Sequence, residues 1–364
     1  MIEEIGETGK KLHTGRSRNE QVVTDEKLYL KTKIPQLIER LKRIQTSVVK
    51  LAEDYFDVIM PAYTHLQQGQ CVLFSHYIMS LFWPLQRGKE RLADLLKRID
   101  KLPLGAGALA GTTLPVDREY LSEQLGFGSI TENSMDSVAD RSFILETLFV
   151  LSIILLDLGR YAEDFIIFSS QEFGYILLAN TISTSSSLMP QKRNPDFFEL
   201  VRASSGELFG NLTQLFVVLK GLPLTYNKDL QEDKVPLHHG VENTLRVLEV
   251  FEQVVGKIKL NKKQIENQID PSLFATDMID YLVEKGVPFR EAHGIVGAIV
   301  YHAEREGKRL NELKLEELKK FSYLFDEKVS ELFDPVHSVN QKKTTGSTNP
   351  EKVKIQIEKA KKLI

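Results

Sequence analysis

Apolar residues recurring every three or four positions over long stretches constrain this chain more than any other feature. Leu37, Leu41, Ile44, Val48, Leu51 and Tyr55 are spaced 4, 3, 4, 3 and 4, which puts them on one face of a helix. A second segment carries Ile144, Leu148, Leu151, Leu155, Leu158 and Phe165 on one side and Phe149, Ile153 and Ile154 on another, so it reads as a helix buried all round. A third runs Leu200, Leu208, Leu212, Leu215 and Leu219, and a fourth extends from about Pro236 to Ile258. Helices of about 25 to 30 residues are roughly 40 Å long. No segment shows sustained period-2 alternation, and no helix–strand alternation suggests a parallel sheet. The expected fold is all-α, a bundle of long helices. The second helix is too apolar for one chain to cover, so an oligomer whose interface completes the bundle is expected.

Composition narrows the function classes. The 364 residues carry 47 Lys plus Arg against 50 Asp plus Glu, a net charge of -3 that gives no case for nucleic-acid or anionic-membrane binding. One cysteine, Cys71, rules out an intramolecular disulfide framework, and a cytoplasmic setting is the default. The most apolar stretch, Phe143 to Leu158, contains Glu146 and Asp157 and falls short of the about 20 apolar residues a bilayer span needs. The opening MIEEIGETGKKLHTG puts acids first and has no apolar core, unlike a signal peptide.

Asp270-Pro271-Ser272 interrupts the helical pattern and is expected to open a small C-terminal helical domain, 270–364. Its helices are expected around Thr276 to Glu284, Pro288 to Glu306 and Lys314 to Phe325. After Thr344 to Thr348, Asn349 reads as an N-cap with Pro350 at the first helical position. The lysines of the last helix, Lys352, Lys354, Lys359, Lys361 and Lys362, read as a solvated face.

Four segments do not look like packing. His13 to Gln21 has no apolar side chain yet precedes a long helix; its arginines, Asn19 and Gln21 suit carboxylate binding, and the plain alternative is a polar capping loop. Pro61 to Gln70 holds His65 beside Thr64 and Gln67 in a loop between helices, either a general acid or base or a hydrogen-bonded loop histidine. In Ser183 to Asp196 a run of small hydroxyl residues suggests a mobile loop, and Asn194-Pro195-Asp196 reads as cap, first position and first-turn acid of a helix. That helix pole, with Lys192 beside it, favours an anion, and Glu199, a turn in, suits a histidine partner; the alternative is a flexible linker before a well-capped helix. Tyr226 to Lys234 offers a hydroxyl, an amide and an ammonium through Tyr226, Gln231 and Lys234, or is a solvated charged turn.

Two patterns are decoys. Gly105 to Ala110 has G-x-G-x-x-A spacing but follows Lys101-Leu102-Pro103-Leu104 with no βαβ unit around it, so it does not read as a nucleotide site. His238 and His239 are adjacent and on a helix point about 100° apart, and no cluster has metal spacing.

Together the segments resemble the argininosuccinate lyase family of the fumarase/aspartase superfamily. HTGRSRNEQVVTD (13–25), PAYTHLQ (61–67), LPLGAGALAGTT (102–113), SSSLMPQKRNPD (185–196) and YNKDLQEDK (226–234) occur in that family's order. The resemblance continues through FATDMIDYLV (274–283) and VPFREAH (287–293) to Thr345 to Thr348 and covers essentially the whole chain. The SS-x-MP-x-K-x-NP run marks the superfamily; HTGRSRN and YNKDLQEDK point to the family within it.

The resemblance implies reversible cleavage of argininosuccinate to arginine and fumarate, with no cofactor and no metal. A proton must leave the carbon next to a carboxylate, so the site needs a base, stabilisers of the developing charge and an acid for the departing nitrogen. By match to the family motifs, Ser186 is the expected base, His65 the acid-side or proton-relay group and Glu199 its partner. Lys192 and Asn194 should hold the fumarate-side carboxylates, and Arg18, Asn19, Thr64, Tyr226, Gln231 and Lys234 the rest of the substrate. The family is a homotetramer in which each active site takes motifs from three subunits. It also carries a further N-terminal stretch before HTGRSRN, with a WGGRF-type segment that contacts substrate. Residues 1–17 are therefore expected to be the remnant of that domain, ahead of a catalytic, oligomerising bundle at 18–269. Within the matched motifs, Glu20 stands where the family usually has Asp, Ser185 where it has Gly before SSLMP, and Ala62 where it has Gly. The alternatives are another fumarate-releasing lyase of the superfamily, acting on adenylosuccinate or fumarase-like, and a helical scaffold without activity.

Overall fold

The computed structural model describes residues 2–179, 183–185 and 187–364. Long helices dominate it: α1 (Arg18–Asp54), α2 (Phe74–Ile99), α3 (Ser142–Ser169), α4 (Asp196–Leu219) and α5 (Lys234–Val255). The fold class is all-α. The 37 residues of α1 make a rod roughly 55 Å long at about 1.5 Å per residue. Its buried apolar positions include Val23, Leu30, Ile34, Leu37, Leu41, Ile44, Val48 and Leu51, so the apolar stripe starts well before Leu37, while Pro35 inside the helix faces out. Proline normally breaks a helix interior, and here the burial of a continuous face outweighs the lost hydrogen bond.

The chain divides into two compact units, with boundaries inside α1, α2 and α3. The first holds residues 1–44, 84–164 and 196–254. Its helices approach closely at glycines. A Cβ at Gly88 on α2 would stand 2.9 Å from Ile154 Cγ1 on α3, and one at Gly240 on α5 would stand 2.6 Å from Leu148 on α3 and 3.3 Å from Leu208 on α4. Arg40 on α1 is clasped by Glu249 and Glu252 of α5 at 3.3 and 3.1 Å. The loop from Leu102 to Thr131 is organised by Arg118, whose guanidinium donates to the carbonyls of Leu102, Leu104 and Thr131.

Two of the expected faces differ. Ile144, Leu148, Leu151, Leu155, Leu158 and Phe165 of α3 are all buried, but Phe149 is 51% and Leu156 45% exposed, so one chain leaves a strip of α3 open. By length and composition α3 could cross a membrane, yet most of it is buried by the protein itself. On α4, Leu208 and Leu215 are buried while Leu200, Phe209, Phe216 and Val217 face out. Both strips are apolar and lie on long helices, the pattern expected of faces awaiting a partner.

The second unit holds residues 45–83, 165–195 and 255–364. Strands β1 (Ile59–Thr64) and β2 (Gln67–Leu73) form an antiparallel hairpin where the sequence suggested a plain loop. The pair ends at Thr64 and Gln67, with His65 and Leu66 at φ of 56 and 57°, the geometry of a tight two-residue hairpin turn. Tyr63 of this hairpin meets Tyr175 through their hydroxyls, inside a cluster with Phe168 and Phe173. The Leu73 amide donates to Thr348 Oγ1 at 2.7 Å, which ties the Thr345 to Thr348 run to the hairpin.

Helices α6 (Ala275–Glu284) and α7 (Phe289–Arg305) pack Met278, Leu282, Val296 and Ile299 into a core shared with Leu318 and Phe325. Asp270 caps the turn that leads into them, accepting from Ser272. The helix expected from Lys314 to Phe325 is only Leu315–Leu318, after which the chain turns. The last helix, α8 (Pro350–Lys361), is capped by Asn349, whose side chain accepts from the Glu351 amide. Lys354, Lys359, Lys361 and Lys362 face solvent, Lys352 is half-buried, and Lys361 pairs with Glu53 and Glu358.

Candidate active site

In the first unit, the start of α1 carries Arg18 and Asn19 in its first turn. Arg18 is exposed, and Asn19 Nδ2 donates to the Ala108 carbonyl at 3.2 Å. The next residue, Glu20, is fully buried. Its Oε1 accepts the Ser17 amide at 2.9 Å and its Oε2 the Gly105 and Gly107 amides, each at 2.7 Å. The glycine-rich run is therefore a cradle for the protein's own carboxylate. Successive backbone N–H groups make an anion nest, and Glu20 fills it.

Tyr226, Gln231 and Lys234 line a 3-10 turn, Lys228–Asp233, that feeds straight into α5. Gln231 Nε2 donates to Tyr226 Oη at 3.2 Å, which brings those two side chains together. Lys234 Nζ sits 2.8 Å from Asp233 Oδ1 and 3.4 Å from Glu26 Oε1. Asp233 is fully buried and accepts from Arg141 Nε. Glu199, in the first turn of α4, is exposed, and Asp196 precedes it in the same turn, so two acids already occupy that helix pole.

In the second unit, Thr64 and His65 are adjacent and exposed at the hairpin tip. Two stretches of the Ser-rich segment pair: β3 (Thr184–Ser185) runs antiparallel to β4 (Arg193–Asn194), Thr184 opposite Asn194 and Ser185 opposite Arg193. Asn194 is thus a ladder residue and not the helix cap, and α4 starts two positions later at Asp196. Lys192 is exposed beside it. Ser186 lies outside the described residues.

Comparison with known proteins decides the family. A family model described as lyase matches residues 1–210, and one described as argininosuccinate lyase C-terminal matches residues 272–340. An argininosuccinate lyase of Bacillus thuringiensis (strain Al Hakam) is 47% identical over 365 residues, covering 100% of this chain and 79% of the relative. The chain belongs to the argininosuccinate lyase family. Among solved structures, EDDS lyase in complex with formate superposes with a TM-score of 0.92 at 27% identity, covering 100% of this chain and 74% of that one. A variant of EDDS lyase with bound fumarate gives a TM-score of 0.90 at 26% identity, covering 99% and 74%.

Sequence reasoning missed several polar residues of this family member that the structure places at or under the candidate site: Glu20, Glu26 and Arg141. Each is buried and charged. A signal for Glu26 was present. Extending the helical spacing of α1 back from Leu37 through Ile34 and Leu30 to Val23 leaves Glu26 and Lys27 in the buried phase. A charged residue in an apolar stripe must find a partner or lose its charge. Lys27 finds one in the Lys101 carbonyl at 3.2 Å, and burial holds its ammonium below the usual lysine range.

Proposed function

We propose that this chain cleaves argininosuccinate reversibly to arginine and fumarate by β-elimination. The observation that carries the reading is 47% identity over the whole chain to a relative named argininosuccinate lyase. A bound fumarate in a structural relative supports a small dicarboxylate as one product.

In this reading Ser186 removes the proton next to the substrate carboxylate, and the negative charge spreads onto that carboxylate. Lys192, just before the short strand Arg193–Asn194, and Asn194 on it stabilise it. His65, partnered by Glu199, serves the departing guanidinium nitrogen as acid or proton relay. Arg18, Asn19, Thr64, Tyr226, Gln231 and Lys234 hold the remainder of the substrate. Residues 18–269 form the catalytic and oligomerising bundle and 270–364 the small helical domain.

The working form is a homotetramer with each site drawn from three subunits. The exposed apolar strips of α3 (Phe149, Leu156) and α4 (Phe209, Phe216, Val217) support it. We place the enzyme in the cytoplasm, the default setting for a chain with one cysteine.

The test is an assay of the purified 364-residue chain with argininosuccinate, following fumarate by its ultraviolet absorbance. Turnover that is lost in Ser186→Ala is the expected result. A folded tetramer without turnover would instead favour the scaffold reading. Light scattering of the same sample reads the oligomeric state.

A further inference from the structure

Beneath the Lys234 ammonium lie three buried charges that the expected chemistry does not use. Glu26 on α1 and Asp233 at the foot of α5 are 4% and 0% exposed, Arg141 just before α3 is 1% exposed, and Lys234 is 38% exposed. The hydrogen bonds of Arg141 go elsewhere. Its Nε goes to Asp233, and its Nη1 donates to the carbonyls of Val138 and Asp140. It stands 3.6 Å from Glu26 Oε2, beyond hydrogen-bond reach. Both oxygens of Glu26 are buried and make no hydrogen bond, and Glu26 shares the Arg141 Nε and the Lys234 Nζ with the Asp233 carboxylate as near neighbours. Two carboxylates cannot bond each other. A proton on Glu26, donated to Asp233, satisfies both.

We propose that Glu26 is a positioning residue for substrate binding: a buried carboxyl that shares one proton with Asp233 and thereby sets how tightly the Lys234 ammonium is held at the cluster. The inference rests on the reading of Lys234 as a substrate contact. With the proton present, Lys234 is held by one anion, Asp233, and the four side chains carry one net positive charge. Without it, Glu26 becomes a second anion 3.4 Å from the ammonium, and the net charge falls to zero. The ionised cluster draws Lys234 inward and weakens its hold on a substrate carboxylate.

Burial and the Asp233 charge push the Glu26 carboxyl up to about 7, against the pull of Arg141 and Lys234. His238, one turn along α5, faces Asp233 and Lys234; burial holds its imidazole below the usual range, so it does not add a charge there at neutral pH. The switch therefore works across pH 6 to 8, where the substrate carboxylates stay ionised.

The test compares wild type, Glu26→Gln and Lys234→Gln. Wild-type KM for argininosuccinate should rise about threefold to tenfold from pH 6 to pH 8, the size of weakening one charge-assisted contact. Glu26→Gln donates to Asp233 at every pH, so its KM should stay flat, while its kcat profile follows wild type. A wild-type pH dependence of KM retained in Glu26→Gln overturns the inference. Lys234→Gln separates the two claims: if it leaves KM unchanged, the substrate-contact reading fails first.

A second readout needs no turnover. A carboxyl raised in the folded state binds more protons folded than unfolded, so its contribution falls as pH rises from the unfolded value near 4.5 through about 7. The melting temperature of Glu26→Gln should therefore gain on wild type between pH 5 and pH 8. A difference that does not change with pH overturns the shared proton.

Discussion

Glu20 Oε2 accepts the backbone amide of Gly107 at 2.7 Å, across 87 residues of sequence. With the Gly105 and Ser17 amides, the bond makes one carboxylate the fastener between the start of α1 and the glycine-rich loop. Asn19 adds its own bond to that loop at Ala108. Glu20→Gln keeps the shape but turns one acceptor into a donor facing an N–H. The expected loss is about 2–4 kcal/mol, since bonds to a charged group are worth more than neutral ones and an unpaired buried amide adds its own cost. Gly107→Ala should also destabilise: its φ is +63°, and a Cβ would stand 2.5 Å from the Gly111 carbonyl oxygen. Calorimetric melting of both variants checks this. A Glu20→Gln profile superimposable on wild type would remove the fastener from the account.

Cys71 should be inert in the folded protein. It lies on β2 with 1% exposure, and burial, with Asp277 adding to it, pushes its thiol up to about 12. The thiolate is the reactive form, so at pH 8 almost none is present. An aromatic disulfide reagent at pH 8 should release no colour from native protein and one equivalent after denaturation. Rapid reaction of the native chain would show that the hairpin opens readily.

The long helices were legible because burial here follows the 3/4 spacing closely: every residue of the α3 face from Ile144 to Phe165 is buried. What spacing could not show is where a single chain stops covering its own helices. Phe149 and Leu156 have the same chemistry as Leu148 and Leu155, and only three-dimensional packing separates exposed from buried. The β1–β2 hairpin was hidden for a different reason. Both its faces mix polar and apolar residues, its register shifts between Ala62 and Tyr63, and the turn uses His65-Leu66 in place of the usual Asn-Gly. The candidate site was legible as motifs, since runs of polar residues without periodicity stand out against helices. Its support was not: Glu26 sits inside ordinary-looking helical sequence, Arg141 stands just before a helix, Glu20 is one more polar residue in a polar run, and their partners are distant along the chain.

His65 offers a clean separation of chemistry from folding. It is exposed at the hairpin tip with φ of 56°, a backbone region that Asn enters readily. His65→Asn should leave the melting temperature unchanged and lower kcat by about 10² to 10⁴, the usual contribution of a positioned acid or base. Steady-state kinetics beside a melting curve would show it. A kcat within a few-fold of wild type would exclude His65 from proton transfer.

Arg141 stands under the opposite expectation, a large effect on stability whatever the chemistry. Its guanidinium is 1% exposed, and Asp233, with 0%, depends on it for charge compensation in the interior. Arg141→Met fills most of the volume but leaves Asp233 with Lys234 as its one ion-pair partner among the described residues, and Glu26 loses its buried one. Removing one partner of a buried pair costs about 3–5 kcal/mol, mainly because the remaining charge stays desolvated. The carbonyls of Val138 and Asp140 also lose a donor. Adding Asp233→Asn to Arg141→Met should recover part of the loss, since the orphaned charge is then gone. Because the deficit is one of uncompensated negative charge, it should also shrink as the pH is lowered. Thermal melts of the single and double variants at pH 5.5 and 8 test both points. A double variant no more stable than Arg141→Met would mean that the guanidinium acts by filling space and bonding carbonyls, with the charge on Asp233 compensated by Lys234 alone.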